Sequence, residues 1–300
     1  MKSVTLTAKD GYKLSLGIYE ADNMKGCIQL IHGMEEHKER YGDFAKRLCQ
    51  AGYTVVTSDM RGHGGNAPLL GFFREEKGGK YLLTDQMLIT RYIKKRFGVD
   101  QVSLFAHSMG TIIARNLLQT RSMDYNRVVL SGCPCYPGKL QICMGRFLAG
   151  VISMIKGPDY FSKLLQNIST GSFNRHIKNP QTEVDWLSFN RDNISSYKED
   201  PYCGHGFRAS AFYDLFTLVE RMNHSENYRN VNAYLPILIA CGREDPCTGF
   251  SKGVLHSASV LQKAGFEKVS IHFYAGMRHE ILNEKDHEKV YADVISFYNI

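Results

Sequence analysis

The sequence predicts an α/β fold: a mostly parallel sheet with helices on both faces and a helical insertion late in the chain. Three observations carry this. Short apolar runs alternate with amphipathic helical stretches from Cys27 to Leu130, the pattern that builds right-handed βαβ units. The alternation stops after Ser131, and from Cys133 to Asn230 helical patches rich in Met, Phe and Tyr replace it. It resumes at Pro236 and runs to the end of the chain.

Taken in order, Val4 to Glu20 reads as two strands around the Asp10-Gly11 turn. Cys27 to Ile31 is a buried strand that ends in a loop at His32-Gly33. Tyr41 to Gln50 has helical spacing, with Phe44, Leu48 and Ala51 on one face and Gly52 as its stop. Thr54 to Thr57 is another buried strand, followed by Asp59-Met60-Arg61-Gly62-His63-Gly64. Tyr81 to Phe97 is an amphipathic helix stopped by Gly98. Val102 to Ala106 (strand), Thr111 to Gln119 (helix) and Arg127 to Leu130 (strand) complete the first half. After the insertion come Pro236 to Cys241 (strand), Lys252 to Ala264 (helix), Val269 to Tyr274 (strand) and Asp286 to Tyr298 (helix). The expected division is a core at 1–132 and 231–300, interrupted by a helical cap, or lid, at 133–230.

Bulk properties exclude several classes. The 300 residues are 43% hydrophobic and 22% charged, as in soluble globular proteins. The net charge of +7 is spread along the chain, so no nucleic-acid partner is expected. No stretch reaches the roughly 18 apolar residues of a membrane span. Met1 to Thr7 has no apolar leader, and eight scattered cysteines form no C-x-x-C pair, so a cytoplasmic setting without a structural metal is expected. Asp59 and His63 lack a third ligand nearby and read as a structural loop.

The sharpest chemical signal is Ala106-His107-Ser108-Met109-Gly110, lying between a buried strand and a helix. A tight strand-to-helix turn with small residues on either side presents a serine hydroxyl at the sheet edge, next to the free N–H groups of the helix start. Serine needs a histidine to take its proton and a carboxylate to orient that histidine. Asp245 follows the strand ending at Cys241, and His279 follows the strand ending at Tyr274. Each occupies the loop position that suits triad acid and triad base, in the order Ser, Asp, His. The backbone N–H groups of Met109 and Met34 are the expected oxyanion donors. His107 and His32 read as packing residues that support their loops.

The ordered set His32-Gly33-Met34-Glu35-Glu36-His37, Asp59-x-Arg61-Gly62-His63-Gly64, His107-Ser108-Met109-Gly110, Gly242-x-x-Asp245 and Arg278-His279-Glu280 resembles the α/β-hydrolase superfamily. Within it, the chain is similar to the bacterial monoacylglycerol lipase and lysophospholipase-like branch, which is grouped with serine aminopeptidases. The resemblance implies an α/β-hydrolase fold, a Ser108-Asp245-His279 triad and oxyanion donors at Met34 and Met109. It departs at Ala106, where glycine is usual, and at Met34, where a small residue is often found.

The expectation is therefore a carboxylic-ester hydrolase acting on a small-molecule or lipid ester, without metal or organic cofactor. Most apolar side chains of the insertion should form its own core. Some, with Phe147, Trp186 and Phe207 as candidates, should line an acyl pocket, and an exposed apolar edge is expected to touch a membrane surface transiently. Two alternatives stay open. One is an aminopeptidase or amidase with the same triad, which would need an acid such as Glu35, Glu36 or Asp159 to hold a substrate amine. The other is a catalytically silent binding protein of the same fold.

Overall fold

The computed structural model describes residues 1–299. Eight strands form one sheet: β1 (Lys2–Thr7), β2 (Lys13–Tyr19), β3 (Gly26–Ile31), β4 (Tyr53–Ser58), β5 (Val102–His107), β6 (Tyr125–Ser131), β7 (Ile237–Gly242) and β8 (Val269–Tyr274). Their order is β1-β2-β4-β3-β5-β6-β7-β8. β1 and β2 join antiparallel at one edge, and every pair from β4 to β8 is parallel. The helices are α1 (Gly42–Gln50), α2 (Gly78–Phe97), α3 (Met109–Arg121), α4 (Lys139–Lys156), α5 (Lys163–Ser169), α6 (Arg191–Glu199), α7 (Ala209–Asn223), α8 (Phe250–Lys263) and α9 (His287–Asn299).

The central strands are apolar on both faces because helices cover both. Successive side chains point to opposite sides. Leu104, Ala106, Val128, Leu130, Ile237 and Ile239 pack on one side with Ile113, Leu117 and Leu261 of α3 and α8. Phe105, Val129, Leu238 and Ala240 pack on the other with Phe44, Leu48, Tyr291 and Val294 of α1 and α9. Burying each large apolar side chain stabilises the fold by about 1.5–3 kcal/mol. At the outer edge, β8 alternates half-buried and exposed residues, because Val269, Ile271 and Phe273 pack on the core while the other face meets solvent.

Every strand and core helix read from the sequence is present, with shifts of a few residues at the ends. α2 begins at Gly78 rather than Tyr81. Two glycines, poor helix formers, hid its first turn. Their amides lie against the Asp214 carboxylate, which supplies the acceptor that the helix start lacks.

The stretch between β6 and β7 holds α4 to α7, without a strand. Its last helix behaves differently from the rest. α7 buries Phe212, Leu215, Leu218, Val219 and Met222 in the core cluster. Asn116 and Gln119 of α3 donate to its Leu218 and Arg221 carbonyls at 3.0 and 2.8 Å. By packing, then, α7 belongs to the helical layer beside α2 and α3, although the sequence break at Asn230 grouped it with the insertion. α4 turns Ile142, Gly145 and Ala149 toward α7. A side chain at Gly145 would meet the Phe216 ring at 3.0 Å, so the helices approach closely there. The face of α4 away from α7 carries Leu140, Met144, Phe147, Met154 and Ile155, all more than 60% exposed.

Candidate active site

β5 ends at His107, and α3 starts at Met109. Ser108 makes the whole turn between them, with φ 50° and ψ −119°. A non-glycine residue there is strained, and its neighbours hold it in place. The Ser108 amide donates to the Ser131 carbonyl at 2.9 Å, and Thr111 binds the Ser108 carbonyl through its amide (2.8 Å) and its hydroxyl (2.7 Å). A side chain at Gly110 would run into the Ile31 carbonyl, which explains the small residue after the serine. Ala106 fits on the other side, fully buried in the core cluster.

The loops after β7 and β8 bring Asp245 and His279 to this turn. His279 Nδ1 lies 2.8 Å from Asp245 Oδ2, and its Nε2 lies 2.8 Å from Ser108 Oγ. A carboxylate only accepts, so the proton sits on Nδ1 and Nε2 faces the serine hydroxyl with its lone pair. Asp245 is fully buried, and its other oxygen accepts from the Cys247 amide at 2.8 Å. Burial alone would lower the His279 pKa, but the Asp245 charge and hydrogen bond outweigh it, and the net shift is upward. The array can therefore move a proton from Ser108 to His279 while Asp245 stabilises the imidazolium that forms.

The loop after β3 faces Ser108. A side chain at Gly33 would fall 3.1 Å from Ser108 Cβ and 2.5 Å from Glu36 Oε1. His32 accepts the Met60 amide on Nε2 at 3.0 Å, so its Nδ1–H donates to the Gly33 carbonyl at 2.7 Å. In a trans peptide the next N–H points opposite to that carbonyl. This orients the Met34 amide away from His32. Among the described residues, neither the Met34 nor the Met109 amide has a hydrogen-bond partner in the loops and caps. Both residues line the cavity with Ser108.

His107 and His32, read from the sequence as packing residues, are both buried beside the array. Burial lowers both pKa values to about 4, aided at His107 by the neighbouring His279. His107 Nδ1 meets Ser131 Oγ at 3.2 Å, and its ring packs 4.8 Å from that of His279. The Asp59 and His63 side chains are engaged separately: Asp59 pairs with Lys38 at 2.5 Å, and His63 Nδ1 donates to the Arg61 carbonyl at 2.9 Å. Two clusters offer three metal-ligand atoms each, Asp245-Cys247-His279 and His37-Asp200-Cys203. The first contains the acid and base of the array. In the second, the imidazole already meets Glu39 and Asp200 carboxylates, both at 2.7 Å.

The cavity over Ser108 has a volume of about 700 Å³. One wall is apolar, with Ile112, Ile142, Leu215, Phe216 and Val219. Another is polar, with Glu35, Gln166, Thr170, Glu183 and Lys198. Of the three cap residues expected to line a pocket, Trp186 does so, its ring 4.9 Å from that of His279. Phe147 does not: it is 73% exposed on the outer face of α4. Phe207 does not either: it is fully buried and stacks edge-on with Phe73 and His63 beneath the site. α7, rather than most of the expected insertion residues, supplies much of the apolar wall.

Sequence reasoning missed Arg40. Its guanidinium reaches Glu36 and Glu280 and so joins the β3 loop to the residue after His279. The i, i+4 spacing of Glu36 and Arg40 was the available signal. Glu280, given no role from sequence, is the far end of this bridge.

Residues 22–286 match the profile of a family described as serine aminopeptidase, S33. The chain is 25% identical over 299 residues to a monoacylglycerol lipase of Mycolicibacterium smegmatis, covering 96% of this chain and 93% of that protein. It is 24% identical over 287 residues to phospholipase YtpA of Bacillus subtilis, covering 93% and 97%. Its fold superposes on a thermostable carboxyl esterase from Bacillus coagulans with a TM-score of 0.91, at 23% identity and 99% and 97% coverage.

Proposed function

The chain belongs to the serine aminopeptidase, S33 family of α/β-hydrolases, and on that premise we propose that it cleaves carboxylic esters of single-chain lipids, of the monoacylglycerol or lysophospholipid kind, through an acyl-enzyme on Ser108. The observation that carries this reading is the continuous chain Asp245–His279–Ser108, with both links at 2.8 Å, opening onto a cavity with an apolar wall.

Ser108 Oγ attacks the ester carbonyl as its proton passes to His279 Nε2. The carbonyl π electrons become the oxyanion, which the Met34 and Met109 amides stabilise. The C–O bond to the alcohol then breaks, and the alcohol leaves with the proton from His279. Water, deprotonated by the same nitrogen, attacks the acyl-Ser108 carbonyl and releases the acid. No step requires a metal or organic cofactor. Ile142, Leu215, Phe216 and Val219 suit an acyl chain. The relatives named as a monoacylglycerol lipase and a phospholipase support a lipid ester over a peptide.

The α4–α6 region acts as a cap over the cavity, and the exposed apolar stripe of α4 touches the lipid surface transiently. No helix among the described residues is long and apolar enough to cross a membrane. Eight free cysteines suit a reducing cytoplasm.

A fluorophosphonate probe tests the assignment. It should label Ser108 and leave Ser108→Ala unlabelled, with both proteins folded. A mass-spectrometric adduct on another serine would sink the assignment. Rates on esters of rising acyl length should increase beyond the shortest acids; a flat or falling profile would argue against a lipid-sized site.

A further inference from the structure

We propose that Glu35 selects substrates whose leaving alcohol carries a positive charge, such as an amine or quaternary ammonium group. The proposal rests on the ester-hydrolase reading above and specifies the chemical class of the head group.

Glu35 immediately follows Met34, on the loop that faces Ser108. It lines the cavity and is only 6% exposed. Its one side-chain partner among the described residues is neutral: Gln166 Nε2 donates to Oε1 at 2.7 Å. The other acids of the lining each contact a cation. Glu36 and Glu280 share the Arg40 guanidinium. Glu183 lies 3.6 Å from Lys198. Among the described residues, Glu35 is the one acid of the cavity lining without a cation in contact. Desolvation without a counter-charge raises the pKa of the acid. A bound cation would reverse that cost and is its natural complement.

Backbone geometry adds a second, independent argument. Glu35 has φ 56°, a left-handed conformation that suits glycine and strains other residues. The Glu35 carbonyl accepts from Tyr197 Oη at 3.1 Å and from the Gly204 amide at 3.0 Å, which hold the strained turn. Glycine would make the same backbone bonds without strain, so the turn itself does not call for a carboxylate. The carboxylate is held by Gln166, in the polar part of the cavity lining, whereas Leu215, Phe216 and Val219 suit the acyl chain, and that assigns the cation to the leaving group. Of the other acids named as holders of a substrate amine, Glu36 is already paired and Asp159 is exposed outside the cavity.

The test compares choline decanoate with 3,3-dimethylbutyl decanoate, which match in shape and differ in charge. The wild-type protein should favour the choline ester in kcat/KM by about tenfold, a modest value for a desolvated charge pair. Glu35→Gln should bring the two rates close to equal. A wild-type preference for the neutral ester, or no preference, overturns the proposal while leaving the hydrolase reading intact. So does a Glu35→Gln protein that keeps the preference. Cleavage of neither ester by folded wild-type protein overturns the hydrolase reading and this proposal with it. Should Glu35→Gln not fold, inhibition of the wild type by choline against 3,3-dimethylbutanol decides: stronger inhibition by choline supports the proposal, and equal or weaker inhibition overturns it.

Discussion

Arg40 and Glu280 meet at two points, Nη1 to Oε1 at 2.6 Å and Nη2 to Oε2 at 2.7 Å. Both side chains are at least nine-tenths buried. The same guanidinium donates to Glu36 at 2.8 Å and to Asn193 of α6 at 3.0 Å. One cation thus ties together the loop carrying Met34, the residue beside His279, and the helical segment above them.

Removing one partner of a buried pair leaves the other uncompensated, typically at a cost of about 3–5 kcal/mol. Glu280→Gln keeps the shape and the Asn193 contact, so a loss near the lower end is expected in urea unfolding. The pair also sets an acid dependence. Burial would raise the Glu280 pKa, but Arg40 outweighs it and holds the group at about 2, below its ordinary 4.5. A carboxyl with a depressed folded pKa stabilises the fold fully above its unfolded value and loses that contribution as pH falls toward 2. Wild-type stability should drop more steeply than that of Glu280→Gln between pH 4.5 and 2. Parallel curves would mean the pair carries no such linkage.

Asp245 should govern the pH profile. As general base, His279 must be neutral, and its pKa stands above 6.5 because Asp245 outweighs burial. The acid limb of kcat/KM should therefore lie above 6.5, with activity rising toward alkaline pH. Asp245→Asn removes the charge while burial remains. The acid limb should move to lower pH, and kcat should fall by about 10⁴, as expected when the histidine loses its orienting carboxylate. An unmoved limb would assign the titration to another group.

Gly33→Ala tests the oxyanion loop. The new methyl would sit 2.5 Å from Glu36 Oε1 and 3.1 Å from Ser108 Cβ. The loop must shift, and the Met34 amide with it. Loss of one preorganised donor costs about 10²–10³ in rate. The effect should appear in kcat, with KM nearly unchanged, because the donor acts on charge that develops in the transition state. An equal rise in KM instead would place the damage in substrate binding.

The core and the Ser108-Asp245-His279 array were legible because each rests on local pattern. Each of the three residues follows its own apolar strand, and chain order fixes which is which. The cavity wall was not legible. Phe147 and Phe207 have the same apolar character as Trp186, and only packing decides which one faces Ser108. α4 turns its small residues, Gly145 and Ala149, toward α7, which leaves Phe147 outside. Phe207 lies at the entry to α7 and is drawn into the cluster around Phe73. Arg40 and Glu280 are 240 positions apart, and no periodicity links them.

The outward face of α4 provides the last prediction. Leu140, Met144, Phe147, Met154 and Ile155 are spaced by four, three, seven and one residues, which places them on one side of the helix as a stripe along its axis. An exposed apolar row of this length is unusual unless it meets a partner or a lipid surface. Lys139 and Lys156 at the two ends of the same helix favour an anionic surface. Phe147→Glu puts a charge at the centre of the stripe, and its side chain is remote from the wall that Ile142 and α7 build. Binding to phosphatidylglycerol vesicles, measured by co-sedimentation, should fall about tenfold, the effect of losing one buried aromatic anchor. Hydrolysis of the same long-chain ester presented in those vesicles should fall in parallel, while a short, monomeric ester should be cleaved as before. If the short-ester rate falls equally, the stripe acts through the fold of the cap; if vesicle binding is unchanged, α4 does not meet the membrane.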